Sequence, residues 1–410
     1  MPELEWRRYE MDEETAAAIE AMRPVLEETE LQAEQERCMP DAAVKAIRDS
    51  GVWKTAVPES LGGWEASPVV EFEITEAISR ISASAAWTAF IGSFHTSLPA
   101  AYLGDQAISE MFGGDQWPVV AGNFAPMGKS EAVDGGVRVT GKYGFASGIN
   151  HADWVAGGCM VSDGEMAEAG LLGTSSDGPP KMLIWVARKD DAITVGDNWF
   201  VSGLSGSGSF DYEVNDMFVP DGYWFSWPVP EVQRGGARYG SPAPLQPLAV
   251  HTALVVGGAQ RALGIIAETA AKKKRLTSAN TIADRGAFQR DLGHAYLRLS
   301  AARSYMVELL GELSSVPWSE QPDPESLAPR LQAAAAYATE VGVGVAAFAY
   351  KYAGSSATRL DSPLQRILRD VQVAQQHVLV ADTSLDALGQ WAIARATDPE
   401  DASEAATVKA

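Results

Sequence analysis

Apolar residues recur along the first part of the chain at the spacing of a helix face: Ile19, Met22 and Leu26 are the clearest set. Pro40 opens a second, shorter helix carrying Val44 and Ile47, and Gly51 is placed to end it. Pro58 to Gly63 reads as a turn, and two more helices are predicted between Pro68 and about Tyr102. The pattern changes near Trp117. Val119–Ala121, Val137–Thr140, Trp154–Ala156, Met182–Val186 and Tyr212–Val214 are short β-branched or aromatic runs separated by Gly and Asp clusters. They predict an all-β insertion of about a hundred residues, a small barrel or sandwich, closing near Val219-Pro220. From Pro242 onward long helices return, over 243–274, 278–315, 325–356 and 361–395. They are apolar on several faces, so each is expected to be buried against neighbours or another subunit. The tail after Ala396 is polar. The fold class is therefore α+β: a helical domain over 1–116, a β domain over 117–225, a four-helix bundle over 226–396 and a polar tail over 397–410.

The chain has 410 residues, enough for more than one structural unit around a large core. Its net charge of −22 argues against a nucleic-acid or anionic-membrane surface. Cys38 and Cys159 are the only cysteines, too few for a disulfide framework and without metal-ligand spacing, as expected of a reducing cytoplasm. Met1 to Arg8 is polar and does not read as a signal peptide. The most apolar windows, Leu248–Ala267 and Ala333–Tyr350, are rich in Ala and Gly, and polar residues such as His251, Gln260 and Glu340 interrupt them. That composition suits close helix packing better than lipid exposure.

Generic catalytic patterns fail. Gly203–Ser207 lacks the closing glycine of a nucleophile elbow, and Gly206–Asp211 lacks the third glycine of a dinucleotide fingerprint. The histidines at 95, 151, 251, 294 and 377 are scattered, so no metal site is expected.

Four passages, taken in order, resemble the acyl-CoA dehydrogenase superfamily. They are Gly51–Gly63 with its Pro-Glu-x-x-Gly-Gly ending, Gly141–Trp154 ending in Ala-Asp-Trp, Leu204–Ser209 followed by Val219-Pro220, and Gly258–Leu263. The arginine that the superfamily carries in the third passage is absent. Ala121–Gly128 with Phe145–Gly148, and Ser362–Asp370 leading to His377, further resemble the oxygenase components of two-component flavin monooxygenases. These include 4-hydroxyphenylacetate and secosteroid phenol hydroxylases and dibenzothiophene monooxygenase.

The residues agree with that resemblance. Acyl-CoA dehydrogenation needs a carboxylate base. Neither window where the superfamily places it, Val371–Ala381 or Pro247–Val256, contains Asp or Glu. His377 is the titratable side chain in the first window, either a proton-transfer group or a buried structural histidine. The resemblance places Ser147 beside flavin N5, the alternative being an ordinary turn serine. It lays Phe145 along the isoalloxazine, or into the β core. Gly206 and Ser207, in the segment Gly206–Ser209, approach the flavin, Arg275 (or Lys273 in the neighbouring register) takes its phosphate across a subunit interface, and Arg369 faces the phosphate or the interface. His95 and Asn123 line the substrate side, with a satisfied core histidine as the other reading of His95. The aromatic run Tyr223–Trp227 either shapes a pocket mouth or packs.

The function this implies is hydroxylation of an organic, typically phenolic, substrate through a flavin C4a-hydroperoxide formed with O2. Reduced FMN or FAD would come from a separate NAD(P)H:flavin reductase, since no NAD(P)H-binding unit is visible. The resemblance also implies a cytoplasmic homotetramer. The rivals are an FAD-dependent dehydrogenase or oxidase, a sulfur- or nitrogen-oxygenating relative, and a non-catalytic scaffold.

Overall fold

A computed structural model describes residues 6–161, 182–190, 192–227, 232–242, 244–274 and 278–397. The chain divides into two compact units that do not follow chain order.

The first unit combines residues up to Met11, Pro68–Ala83 and everything from Ser241. Its helices are α3 (Pro68–Ser79), α6 (Leu248–Lys272), α7 (Gly286–Ser314), α8 (Pro324–Ala353), α9 (Pro363–Ala374) and α10 (Thr383–Thr397). Helix α6 runs through the middle and packs against α3, α7, α8 and α9. Close approach is built in: a Cβ on Gly257 would lie 2.4 Å from the Glu76 carbonyl oxygen, and one on Gly342 would lie 2.6 Å from Val255 Cγ1. Leu248, Val256, Leu263, Leu299, Leu310, Leu331 and Val341 belong to the core these helices share. Helix α3 brings charge into it. Glu76 is paired bidentately with Arg303, at 2.5 Å to Nε and 2.7 Å to Nη2, and also accepts from Gln260 Nε2 at 2.7 Å. Glu73 accepts from the backbone N–H groups of Tyr9, Glu10 and Met11 at 2.6, 2.9 and 2.8 Å, which ties the N-terminal stretch to α3.

Two helical spans, Leu248–Lys272 and Pro324–Thr358, are long and apolar enough to cross a membrane. Most of each apolar window, 83% and 61%, is buried inside the protein, the condition of core helices.

The expected final helix over 361–395 is two helices. Between α9 and α10 the chain leaves helical geometry at His377 (φ −72°, ψ 138°) and makes a 3-10 turn over Val378–Val380. No Gly or Pro marks the break. The His377 side chain itself caps the turn, with Nδ1 accepting from the Leu379 N–H at 3.3 Å. The second bundle helix likewise starts later than expected, at Gly286.

The second unit holds Asp12–Ser67 and Ser84–Gly240. It contains α1 (Glu13–Glu36), α2 (Asp41–Ser50), α4 (Ala83–Tyr102), α5 (Asp105–Phe112) and one seven-stranded mixed sheet, ordered β5-β6-β2-β1-β3-β4-β7. The strands are β1 (Val120–Val133), β2 (Gly136–Ala146), β3 (Trp154–Val161), β4 (Met182–Arg188), β5 (Ile193–Val195), β6 (Phe210–Pro220) and β7 (Trp224–Trp227). Pro40 and Gly51 flank α2 as expected, with Gly51 in the left-handed region at φ 78°. Only the β1–β3 pairing is parallel. Strand β1 is far longer than the Val119–Ala121 run predicts. It continues through two irregularities, around Pro126, where Asn123 and Gly128 interrupt the register with β3. The aromatic run ending at Trp227 is edge strand β7, paired with β4 from Trp224↔Trp185 to Trp227↔Met182. Behind the sheet Tyr143 stacks on Tyr212 (4.8 Å, 11°), and Trp185 meets it edge-on.

Candidate active site

In the second unit two turns are stitched together. The first follows β2. Phe145 has φ 62°, costly for a bulky residue by about 1 kcal/mol or more. It is held there by its N–H bond to Asp211 Oδ1 at 3.2 Å and by the Ser147 N–H bond to its carbonyl at 2.9 Å. Its ring stays 68% exposed and meets Trp199 edge-on at 5.9 Å. The second turn precedes β6, with Leu204 at φ 53°, a 3-10 turn over Ser205–Ser207 and Gly208 at φ 57°. The Gly148 N–H donates to the Ser207 carbonyl at 2.9 Å, and Ala146 pairs with Phe210.

This registration brings serine side chains together. Ser147 Oγ lies 2.7 Å from Ser209 Oγ, and Ser209 Oγ lies 2.7 Å from Ser207 Oγ. Trp87 on α4 donates its indole N–H to Ser147 Oγ, also at 2.7 Å. All four side chains are buried. Ser207 and Ser209 both lie in the Gly206–Ser209 segment expected to approach the flavin; Trp87 was not expected. Nothing in a lone Trp on a helix distinguishes it before the turns are paired.

From Trp87 an aromatic file runs along α4. Trp87 meets Phe90 edge-on at 5.5 Å, Phe90 meets Phe94 at 5.7 Å, Phe94 adjoins His95 at 5.9 Å, and His95 lies over Phe124 of β1 at 4.5 Å. Residues 87, 90 and 94 share one helix face, His95 lies about 100° round from Phe94, and Trp87 and His95 are about 12 Å apart along the axis. His95 lies on a helix, as expected, with aromatic rings on either side of it.

Three of the candidate residues have contacts within the chain. A Cβ on Gly206 would lie 2.9 Å from Ala33 Cβ and 3.1 Å from Ser84 Cβ, so its missing side chain serves packing on α1 and α4. Asn123 donates Nδ2 to the Gly144 carbonyl at 2.8 Å and accepts the Ala125 N–H on Oδ1 at 2.9 Å, which fixes the β1 irregularity. Lys273 of the first unit donates Nζ to the Ala353 carbonyl at 2.5 Å and to Ser356 Oγ at 2.9 Å, capping the end of α8. Arg275, the residue expected in the phosphate role to which Lys273 is the alternative, lies outside the described residues. Arg369, on α9, donates Nε to Gln365 Oε1 at 2.8 Å.

In the first unit His377 has a partner the sequence did not single out. His251 of α6 is fully buried, and its ring centroid lies 5.0 Å from that of His377 at 45°. Burial pushes the His251 pKa down to about 3; the neighbouring His377 adds to the shift, and the Ala374 carbonyl opposes it. Burial lowers His377 as well. Both rings are therefore neutral near pH 7. Because Nδ1 of His377 accepts the Leu379 N–H, the neutral tautomer carries its proton on Nε2. Nε2 is then a donor, better suited to bonding an oxygen atom than to removing a proton. A second histidine within the other window for the missing carboxylate, Pro247–Val256, was the signal that could have found His251.

Comparison with known proteins places the chain by its sequence and its fold. Residues 11–112 match the family "Acyl-CoA dehydrogenase, N-terminal domain", and residues 249–382 match "Acyl-CoA dehydrogenase, C-terminal domain". A pigment production hydroxylase of a Rhodococcus species is 27% identical over 92% of this chain and 95% of its own length. The flavin-dependent monooxygenase oxygenase subunit HsaA of Rhodococcus jostii is 28% identical over 88% of this chain and 92% of its own. The crystal structure of a 3-HSA hydroxylase from a Rhodococcus species superposes with a TM-score of 0.82 at 24% identity, covering 93% of this chain and 97% of that one. The chain belongs to the acyl-CoA dehydrogenase superfamily and, within it, to the flavin-dependent monooxygenases that act as oxygenase components.

Proposed function

We propose that this protein hydroxylates an aromatic, phenol-type substrate, and the observation that carries the substrate class is the aromatic file from Trp87 to Phe124. A flat ring is favoured between such side chains by about 0.5–1.5 kcal/mol per aromatic pair beyond area burial. His95, at the far end of the file, supplies a polar group for a ring substituent.

The chain's own residues fit a flavin. Phe145 offers an exposed aromatic face in a strained, over-determined backbone, and Ser147 offers a buried hydroxyl that can both donate and accept. Bound reduced flavin would supply the two electrons that activate O2, one atom of which goes to the substrate while the other leaves as water. In the sheet unit Phe145 would lie against the ring system and Ser147 would bond N5. Taken by themselves, His377 would offer Nε2–H to an oxygen, and Arg275 and Arg369 would serve a phosphate. The apolar wall excludes water, which would otherwise divert the chemistry to peroxide.

Reduced FMN or FAD arrives from a separate NAD(P)H:flavin reductase by diffusion. The protein works in the cytoplasm as a homotetramer, a state supported by exposed apolar side chains on the helical unit, among them Leu297, Tyr305, Leu360 and Ile393. The test couples the chain to a flavin reductase under 18O2 with a panel of phenols. Singly labelled hydroxylated product is expected. Consumption of reduced flavin into hydrogen peroxide alone, across the whole panel, would remove the proposal.

A further inference from the structure

We infer that Asn123 and Asp211 clamp the Gly144–Phe145 peptide between them, and that this clamp keeps the Phe145 ring turned outward for the flavin. It rests on the reading of Phe145 as the side chain that lies against the flavin ring.

Strand β2 carries a bulge at this place. Tyr143 pairs with Tyr212 and Ala146 pairs with Phe210, so Gly144 and Phe145 together face the single residue Asp211 of β6. The extra residue decides where the ring goes. Side chains along a strand alternate with a period of two, so an unbroken β2 would put Phe145 on the same face as the buried Tyr143. With the bulge, Tyr143 and Ala146 both stay inside and Phe145 is 68% exposed.

Side chains take both ends of the bulged peptide. The Gly144 carbonyl accepts from Asn123 Nδ2 at 2.8 Å. The N–H of the same peptide, on Phe145, donates to Asp211 Oδ1 at 3.2 Å. The carbonyl and the N–H of a trans peptide point in opposite directions, so the unit is gripped from two sides. Each jaw is itself fixed. Asn123 Oδ1 accepts the Ala125 N–H at 2.9 Å, which leaves the amide nitrogen for Gly144. Asp211 Oδ2 accepts from Asn198 Nδ2, and the Asp211 N–H donates back to Asn198 Oδ1 at 3.1 Å. Gly144 makes room for the second jaw, since a Cβ there would lie 3.2 Å from Asp211 Oδ1.

The clamp opposes two tendencies. A left-handed φ of 62° is unfavourable for a bulky residue and persists only where its surroundings over-determine it. An exposed aromatic ring also gains by leaving water. Without the clamp the bulge is free to slide or relax, and flavin binding must then restore it. Asn123 and Asp211 are thus positioning residues: they act on the flavin through Phe145.

The experiment is a double-mutant cycle on the binding of reduced FMN and FAD, measured anaerobically by tryptophan fluorescence without substrate. Asn123→Ala and Asp211→Ala should each weaken binding about fivefold in the otherwise unaltered protein. In the Phe145→Gly background each should weaken it less than about twofold, because no ring is left to hold. Neither loss should exceed that of Phe145→Gly alone. Equal losses in both backgrounds overturn the clamp. So does the absence of any loss from the two clamp variants while Phe145→Gly weakens binding, which leaves Phe145 in its place. If Phe145→Gly changes neither affinity, the reading of Phe145 fails and the clamp with it. Melting temperatures of the flavin-free proteins separate folding from binding; should Asp211→Ala not fold, Asn123→Ala decides alone.

Discussion

His251 and His377 approach each other ring to ring at 5.0 Å, inside a helical core, from two windows that relatives with acyl-CoA chemistry use for a carboxylate. Two imidazoles this close and this buried cannot both be charged. Their neutrality is therefore a condition of the fold.

The first prediction concerns acid stability. In the unfolded chain His251 titrates near 6.5; in the fold it does so at about 3. Above the unfolded value neither state binds the proton and nothing is lost. As pH falls below 6.5 the unfolded chain takes up a proton the folded one refuses. Stability should then fall by about 1.4 kcal/mol per pH unit, down to the folded value. His377, lowered by burial, adds in the same direction. Denaturant midpoints across this range should show a flatter slope in His251→Gln than in the wild type. Parallel slopes would mean the pair does not control acid unfolding.

The tautomer assigned to His377 predicts a difference between two replacements. His377→Gln keeps a side-chain donor, and His377→Ala removes it. Hydroxylation should fall about a hundredfold or more in the alanine variant and about tenfold in the glutamine variant. Equal loss in both would point to a proton acceptor instead.

Phe145 sits at φ 62° with an exposed ring. Phe145→Gly relieves the backbone and removes apolar surface from water, so the flavin-free protein should lose less than about 1 kcal/mol of stability. Flavin affinity should drop about tenfold, the cost of about one aromatic contact. A large fall in melting temperature with unchanged flavin affinity would make Phe145 a packing residue.

Arg303 and Glu76 form a buried pair with side chains only 4% and 3% exposed. Arg303→Met leaves Glu76 charged and unmatched and should cost about 3–5 kcal/mol. Adding Glu76→Leu should recover part of that, because the stranded charge is gone. Thermal melts of the single and double variants compare the two directly. A single variant as stable as the wild type would show that water reaches the pair.

The helices and strands with regular periodicity were legible in the sequence. Ile19, Met22 and Leu26 lie buried on α1, and the five short apolar runs all lie in or at the edge of strands. What the sequence hid was set by contacts remote in the chain. The break at His377 has no Gly or Pro to announce it, because a side chain makes the cap. Strand β1 runs on past Pro126 because Asn123 satisfies the backbone that the irregularities free, and β7 reads as an aromatic cluster until β4 pairs with it. In the candidate site, Ser147 was legible from its turn. The segment Gly206–Ser209 was legible as well, but Trp87 was not, since its contact with Ser147 exists only once a turn and a helix meet.

The assignment of α3 to the same unit as α6 through α10 bears on how the chain is made. Glu76 emerges from the ribosome 227 residues before its partner Arg303. At bacterial and eukaryotic synthesis rates that interval is roughly 10 to 45 s. During it the residues of the sheet unit are all translated, and Glu73 can already meet the backbone of Tyr9, Glu10 and Met11, but Glu76 has no arginine to pair with. Burial of Glu76 in its final, paired place therefore waits on α7, the helix that carries Arg303.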